Sequence, residues 1–238
     1  MRVRVDLVAA AGTLPQEYVP GWPLETRRQT AVVIDVLRAT TTLTVAFTHG
    51  ARRVIPVASP AEALARQARE PDVLLCGERG GRRIPDFHLG NSPAEYSFEA
   101  VSGRTLVFAS TNGSLAMLAA ARCGERLLGA FLNASAVAAA LAGREFVRIL
   151  CAGREKRFAV EDVACAGWLC EALAARGARI EGGAARLARA LAPRDADEIR
   201  ACLQGSASGR ALRELGGIFA KDVDLCAELD HVDRAFAF

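Results

Sequence analysis

Ala31-Val32-Val33-Ile34-Asp35-Val36-Leu37-Arg38-Ala39-Thr40-Thr41-Thr42 is the stretch that decides the fold. Its first part is an unbroken apolar run rich in β-branched residues, which suits a strand covered on both faces. Asp35 breaks into that run with a carboxylate, and a helix can start at the threonines that follow Arg38. Strand, polar turn and Ala-rich helix then recur along the chain. The expected strands are Val3–Val8, Ala31–Val36, Arg53–Val57, Val73–Cys76, Leu106–Ser110, Arg126–Leu128 and Phe146–Cys151. Such alternation predicts parallel pairing with helices on both faces.

Local signals place the helices between them. Ser59-Pro60-Ala61-Glu62 joins an N-cap Ser, a Pro at the first helical position and a Glu two residues on, a capping-box pattern. Gly50 and Gly177 mark the ends of helices that begin near Thr40 and Glu161. Four prolines and glycines (Pro15, Pro20, Gly21, Pro23) predict a loop over Gly12–Thr30. From Gly182 onward the chain is helical and Ala/Arg-rich: Ala184–Leu191, Ala196–Leu203, Gly209–Leu215 and Phe219–Leu225. No linker isolates that part. The expectation is therefore a single α/β domain spanning 1–238, three-layer α/β/α with a largely parallel sheet and a helical C-terminal part.

Composition narrows the function classes. The 238 residues are 51% hydrophobic and 24% charged, a globular balance with enough chain for a sizeable core. No apolar run approaches the roughly 20 residues that span a bilayer, and the alternating start Met1-Arg2-Val3-Arg4 is not a secretory signal, so a cytoplasmic protein is expected. Seven cysteines without a Cys-x-x-Cys read as reduced core thiols, and three dispersed histidines make a zinc site a poor fit. The formal charge of +3, with 28 Arg and 2 Lys among 47 Ala and 21 Gly, reads as a GC-rich bias rather than a nucleic-acid-binding face.

Ligands of open α/β sheets bind beyond the carboxyl ends of the strands. Four turns there carry chemistry: Asp35 to Thr42, Gly77-Glu78-Arg79-Gly80-Gly81, Thr111-Asn112-Gly113-Ser114, and the stretch from Gly153 to Glu161-Asp162. Asp35 reads either as a metal-binding or nucleophilic carboxylate or as a turn-ordering ion pair with Arg38. Arg38 with its threonines reads as an oxyanion clamp or as an ordinary helix start, and the two glycine-bearing turns as anion cradles or as plain turns. Their convergence on one sheet edge favours a site. Gly90-Asn91-Ser92-Pro93-Ala94 mimics a hydrolase elbow, but Pro93 lacks the N–H that an oxyanion needs, leaving Asn91 and Ser92 as polar contacts. A P-loop is absent, since Lys156 follows Glu155 and Lys221 follows Ala220. His88, near Asp86 and Asn91, is a candidate acid or base, with a structural role as the alternative.

Val33-Ile34-Asp35-Val36-Leu37-Arg38-Ala39-Thr40-Thr41, Gly77-Glu78-Arg79-Gly80-Gly81, Leu89-Gly90-Asn91-Ser92-Pro93, Thr111-Asn112-Gly113, Phe131-Leu132-Asn133, Glu161-Asp162 and Lys221-Asp222-Val223 form an ordered set. In order and spacing that set resembles the 2-phosphosulfolactate phosphatase family of coenzyme M biosynthesis, over nearly the whole chain. The resemblance implies a magnesium-dependent phosphatase that releases phosphate from 2-phospho-3-sulfolactate or a related 2-hydroxy-acid phosphate. It implies catalytic roles for Asp35, Arg38, Glu78 and Asn112. Substrate contacts would come from Arg38, Thr40, Thr41, Arg79, Gly80, Asn91, Ser92, Thr111 and Gly113. Magnesium prefers hard oxygens, so Asp35, Glu78 and Asp162 are the expected ligands. The family often has a carboxylate where His88 stands, which separates this chain from the pattern there. The expected partner is a small anionic phosphate ester, with a homo-oligomer compatible and neither nucleic acid nor membrane expected. A non-catalytic small-anion binding protein is the competing class.

Overall fold

The computed structural model describes residues 1–9, 21–23 and 25–238. The strands are β1 (Arg2–Asp6), β2 (Gln29–Ile34), β3 (Arg53–Pro56), β4 (Leu74–Arg79), β5 (Arg82–Arg83), β6 (Thr105–Ala109), β7 (Glu125–Gly129), β8 (Phe146–Cys151), β9 (Arg179–Ile180) and β10 (Phe236–Ala237). The helices are α1 (Ala39–Thr48), α2 (Pro60–Arg69), α3 (Phe98–Val101), α4 (Gly113–Ala119), α5 (Ala134–Ala140), α6 (Val160–Ala174), α7 (Gly183–Ala190), α8 (Ala196–Gly205), α9 (Ala207–Leu215) and α10 (Gly217–Cys226).

These strands divide between two sheets, one ordered β10-β7-β2-β8-β1-β9 and the other β3-β6-β4-β5. Pairing is parallel throughout except where β10 meets β7 and β5 meets β4. The larger sheet is the middle of a three-layer α/β/α sandwich. Alternate residues of β2 show why: Val32 and Ile34 pack with residues of α5 to α10, while Ala31 and Val33 pack with α1 and α4. The smaller sheet lies beyond α1 and α4, contributing Val54, Leu74, Leu106 and Phe108 to that second core. Its far face, with Leu75 and Val107, is covered by Ala63 of α2.

Local chemistry accounts for the element ends. Ser59 accepts the Glu62 N–H at 3.2 Å, and the Glu62 carboxylate accepts the Ala58 N–H at 2.9 Å, so the expected capping pattern starts α2. Gly50 (φ +86°) and Gly177 (φ +84°) follow α1 and α6 in the left-handed conformation. In the expected loop, Gly12–Pro20 lies outside the described residues; Thr26–Arg28 forms a short 3-10 turn, and Gln29 and Thr30 already belong to β2. Strand β2 ends at Ile34 rather than Val36, because Asp35 turns the chain into α1. Among the described residues no helix is long and apolar enough to cross a membrane.

Candidate active site

A cavity of about 210 Å³ opens where the carboxyl ends of β2, β4, β6 and β8 meet, with one side of α9 as its roof. Asp35, Arg38, Glu78, Gly80, Asn91, Thr111, Asn112 and Asp162 all line it, so the four sequence-distant turns do converge. Glu161, Arg154 and the apolar roof residues Leu212 and Leu215 complete much of the wall.

Asp35 sits at the tip of β2 and is 8% exposed. Its Oδ1 accepts the Ala39 N–H at 3.3 Å, so the first N–H of α1 caps this carboxylate instead of facing the cavity. Burial, reinforced by repulsion from Glu78 and Glu161, pushes the Asp35 carboxyl up to about 7, against the opposing Ala39 hydrogen bond and the Arg38 charge. Gly113 has to be glycine: a Cβ there would lie 2.4 Å from Ala39 Cβ and 2.5 Å from Asp35 Oδ2. That absence lets the start of α4 close against the carboxylate.

Two neighbouring carboxylates each bridge the ends of two strands. Asp162 accepts the Val36 N–H at 2.9 Å through Oδ1 and the Gly153 N–H at 3.0 Å through Oδ2, stitching the end of β2 to the end of β8. Burial, then repulsion from Asp35 and Glu161, holds its carboxyl well above the usual range. Glu78 accepts the Thr111 N–H at 2.7 Å and the Gly81 N–H at 2.8 Å, joining the ends of β4 and β6. Asp35, Glu78 and Asp162, the expected magnesium ligands, all line this cavity. Every oxygen of Glu78 and Asp162 already faces a backbone donor, and among the described residues no three acidic, His or Cys side chains gather as a metal cage. Glu161, by contrast, is 2% exposed and lines the cavity, and among the described residues its side chain has neither an ion-pair nor a hydrogen-bond partner.

Arg38 does not form the ion pair considered for Asp35. It donates from Nη1 to Asp222 Oδ2 at 2.6 Å and from Nη2 to the Gly81 carbonyl at 2.6 Å, with Cζ 5.2 Å from the Phe219 ring centroid. The Leu37–Arg38 peptide is cis. Asp222 also accepts the Ser92 hydroxyl at 2.7 Å, so Ser92 supports Arg38's partner and is absent from the cavity wall. Asn91 lines the cavity and accepts the Thr42 hydroxyl at its carbonyl, and its Oδ1 is buried without a hydrogen-bond partner among the described residues.

The hydroxyls of the expected threonine clamp meet backbone carbonyls. Thr40 Oγ1 stands 2.9 and 2.7 Å from the carbonyls of Asp35 and Gly129, and Thr41 donates to the Val36 carbonyl at 2.9 Å. Both are fully buried, and neither lines the cavity. A β-branched hydroxyl in a buried first turn satisfies nearby carbonyls before it can reach a ligand. Arg79 turns back to the Glu78 carbonyl at 2.8 Å and is absent from the wall. His88 accepts the Leu75 N–H at Nδ1, 2.9 Å, and takes the structural role.

The sequence profile described as 2-phosphosulpholactate phosphatase matches residues 19–236. The chain belongs to the 2-phosphosulfolactate phosphatase family. That family is one of phosphoric monoester hydrolases, and its curated members similar to this chain carry the name "probable 2-phosphosulfolactate phosphatase". The relative from Deinococcus radiodurans is 40% identical over 96% of this chain and 90% of its own length. That from Thermotoga petrophila is 39% identical over 89% of this chain and 88% of its own, and that from Symbiobacterium thermophilum 41% over 84% and 86%. Glu161, on the cavity wall, and Asp222, the partner of Arg38, are the residues to which the sequence reading gave no individual role. Glu161 adjoins the candidate Asp162, and Asp222 lies between Lys221 and Val223 in the ordered set.

Proposed function

We propose that the chain hydrolyses 2-phosphosulfolactate, or a closely related 2-hydroxy-acid phosphate, to the hydroxy acid and inorganic phosphate with the help of magnesium. The observation that carries this reading is the pair Asp35 and Glu161: two buried carboxylates in one cavity, Glu161 with no donor and Asp35 with Oδ2 unengaged among the described residues. The wall holds Asp35, Glu78, Glu155, Glu161 and Asp162 against Arg38 and Arg154. A bare anion would be repelled by that balance, so a protein that only senses small anions fits it poorly.

The donor set suits a hard divalent cation. Magnesium is bound by one or two carboxylates together with water and substrate phosphate, and needs no protein cage. Asp35 and Glu161 would hold it, with the unpartnered Asn91 Oδ1 as a third hard oxygen. Bound there, it would supply positive charge to the carboxylates and to the phosphoryl oxygens. Arg38, fixed from both sides by Asp222 and Gly81, directs its remaining N–H groups toward an oxyanion without reorganising. Asn112, half-buried on the wall, offers an amide to the same group. Glu78 and Asp162 hold the loops that carry these side chains in register.

Phosphate release from 2-phosphosulfolactate and a panel of 2-hydroxy-acid phosphates, with and without a chelator, tests the reading. Turnover that disappears with chelator and returns with magnesium supports it. Chelator-insensitive turnover removes the metal, and no release from any ester removes the activity.

A further inference from the structure

We propose that Arg154 reads the sulfonate of the substrate, making it a specificity-determining residue of this enzyme; the inference rests on the reading of the cavity as a site for 2-phosphosulfolactate. Among the described residues, the wall carries two cations, Arg38 and Arg154. Arg38 is 2% exposed and committed to Asp222 and Gly81. Arg154 lies toward the solvent side, its side chain 36% exposed, and it pairs with the neighbouring Glu155 at 3.4 Å, itself 76% exposed. An exposed contact of that length is weak and readily exchanged for a ligand.

The position of Arg154 is built into the fold. Its N–H donates to the Arg157 carbonyl at 2.8 Å, and its carbonyl accepts the Arg157 N–H at 2.9 Å, across a turn whose central residues, Glu155 and Lys156, both have positive φ. The preceding Gly153 is tied to Asp162, the same carboxylate that holds Val36 beside Asp35. One buried group thus sets the spacing between the chemical end of the cavity and the guanidinium at its mouth.

The substrate's own geometry selects which group reaches Arg154. Hydrolysis requires the phosphate at the buried end, near Asp35 and Glu161. The carboxylate carbon is bonded directly to the ester-bearing carbon, whereas the sulfur of the sulfonate is one bond further away. Facing outward, the sulfonate meets Arg154 on one side and the apolar roof of Leu212 and Leu215 on the other. A planar fork matches two oxygens of such a group, which the point charge of a lysine does not.

The test compares Arg154→Gln, Arg154→Lys and Lys156→Ala with the wild type on 2-phosphosulfolactate and on 2-phospholactate, which keeps the carboxylate and lacks the sulfonate. Sulfolactate and inorganic phosphate binding are measured by calorimetry alongside. R154Q is expected to lose about tenfold or more in kcat/KM for the sulfonated ester, mostly in KM, and about twofold or less for phospholactate. Its affinity for sulfolactate should fall by a similar factor while that for phosphate holds. R154K should recover little, and K156A, on the same loop but outside the wall, should leave the ratio unchanged. Equal losses on both esters, or a ratio shifted as much by K156A, would overturn the assignment. If the wild type turned over neither ester, the proposed activity would fail instead. The sulfolactate titration would then decide Arg154 alone: unaltered binding by R154Q rejects the assignment and selective loss upholds it.

Discussion

Arg38 and Asp222 meet at 2.6 Å, each 2% exposed, joining the residue before α1 to a helix near the end of the chain. Removing one partner leaves the other charged and buried, a cost of about 3 kcal/mol or more. Asp222→Ala should lower stability by that amount in urea unfolding and speed amide exchange in α10. The double variant Arg38→Met/Asp222→Leu should regain much of the stability but none of the turnover. A double variant with substantial activity would show that Arg38 serves the fold alone.

Asp35 makes the metal-free protein pH-sensitive in an unusual direction. Its carboxyl holds a proton to about pH 7 in the fold and only to its ordinary 3.8 otherwise, and Asp162 shifts the same way. Between those values the native chain binds more protons than the unfolded one, so stability falls as pH rises through the window. Asp35→Asn should abolish turnover yet raise metal-free stability at pH 8 by about 2–4 kcal/mol, with little change near pH 4. Magnesium should raise the Tm of the wild type more at pH 8 than at pH 5, and that of the variant at neither. Thermal scans at the two pH values check all three.

Glu161 and Thr41 separate chemistry from structure within one neighbourhood. Glu161→Gln should reduce kcat by about a hundredfold with Tm unchanged or raised, since a lone buried carboxylate opposes folding. Thr41→Val should cost about 1 kcal/mol through the orphaned Val36 carbonyl, with kcat and KM close to wild type. A reversed pattern in paired kinetics and unfolding measurements would return Thr41 to the substrate.

Gly113→Ala tests the close approach of α4 to Asp35. The added methyl collides with Ala39 Cβ and Asp35 Oδ2, so a loss of about 1–3 kcal/mol and at least tenfold in kcat/KM is expected. Gly205→Ala, with open space around the new methyl at the end of α8, should be neutral or stabilising by about 0.5 kcal/mol. Equal effects of the two substitutions would contradict the crowding seen at Gly113.

Much of the fold was legible because it is local. Phe146–Cys151 reads as a buried strand from its apolar run and is one, and Ser59-Pro60 starts a helix as its chemistry dictates. The division into two sheets was not legible, since a residue pattern says which faces of a strand are buried but not which strands pair. At the site, the turns that follow strands were recognisable, and Asp35, Glu78, Asn91 and Asn112 reach one cavity. Roles within it depended on partners far away: Arg38 finds Asp222 rather than Asp35, and Thr40 satisfies Gly129. Glu161 and Asp162 are adjacent in sequence, yet among the described residues one side chain has no partner and the other bridges two loops, a difference of orientation on the first turn of α6.

Strand β2 is central in the larger sheet, and both of its neighbours, β7 and β8, come about a hundred residues later in the chain. During synthesis at about 5–20 residues per second, Gln29–Ile34 leaves the ribosome on the order of 5–25 seconds before its first and second neighbours exist. Throughout that interval an apolar edge capable of pairing with any other strand is uncovered on both sides. The nascent chain therefore calls for a holdase at this segment, and overproduction that outruns such protection should divert the protein into inclusion bodies rather than slow its activity.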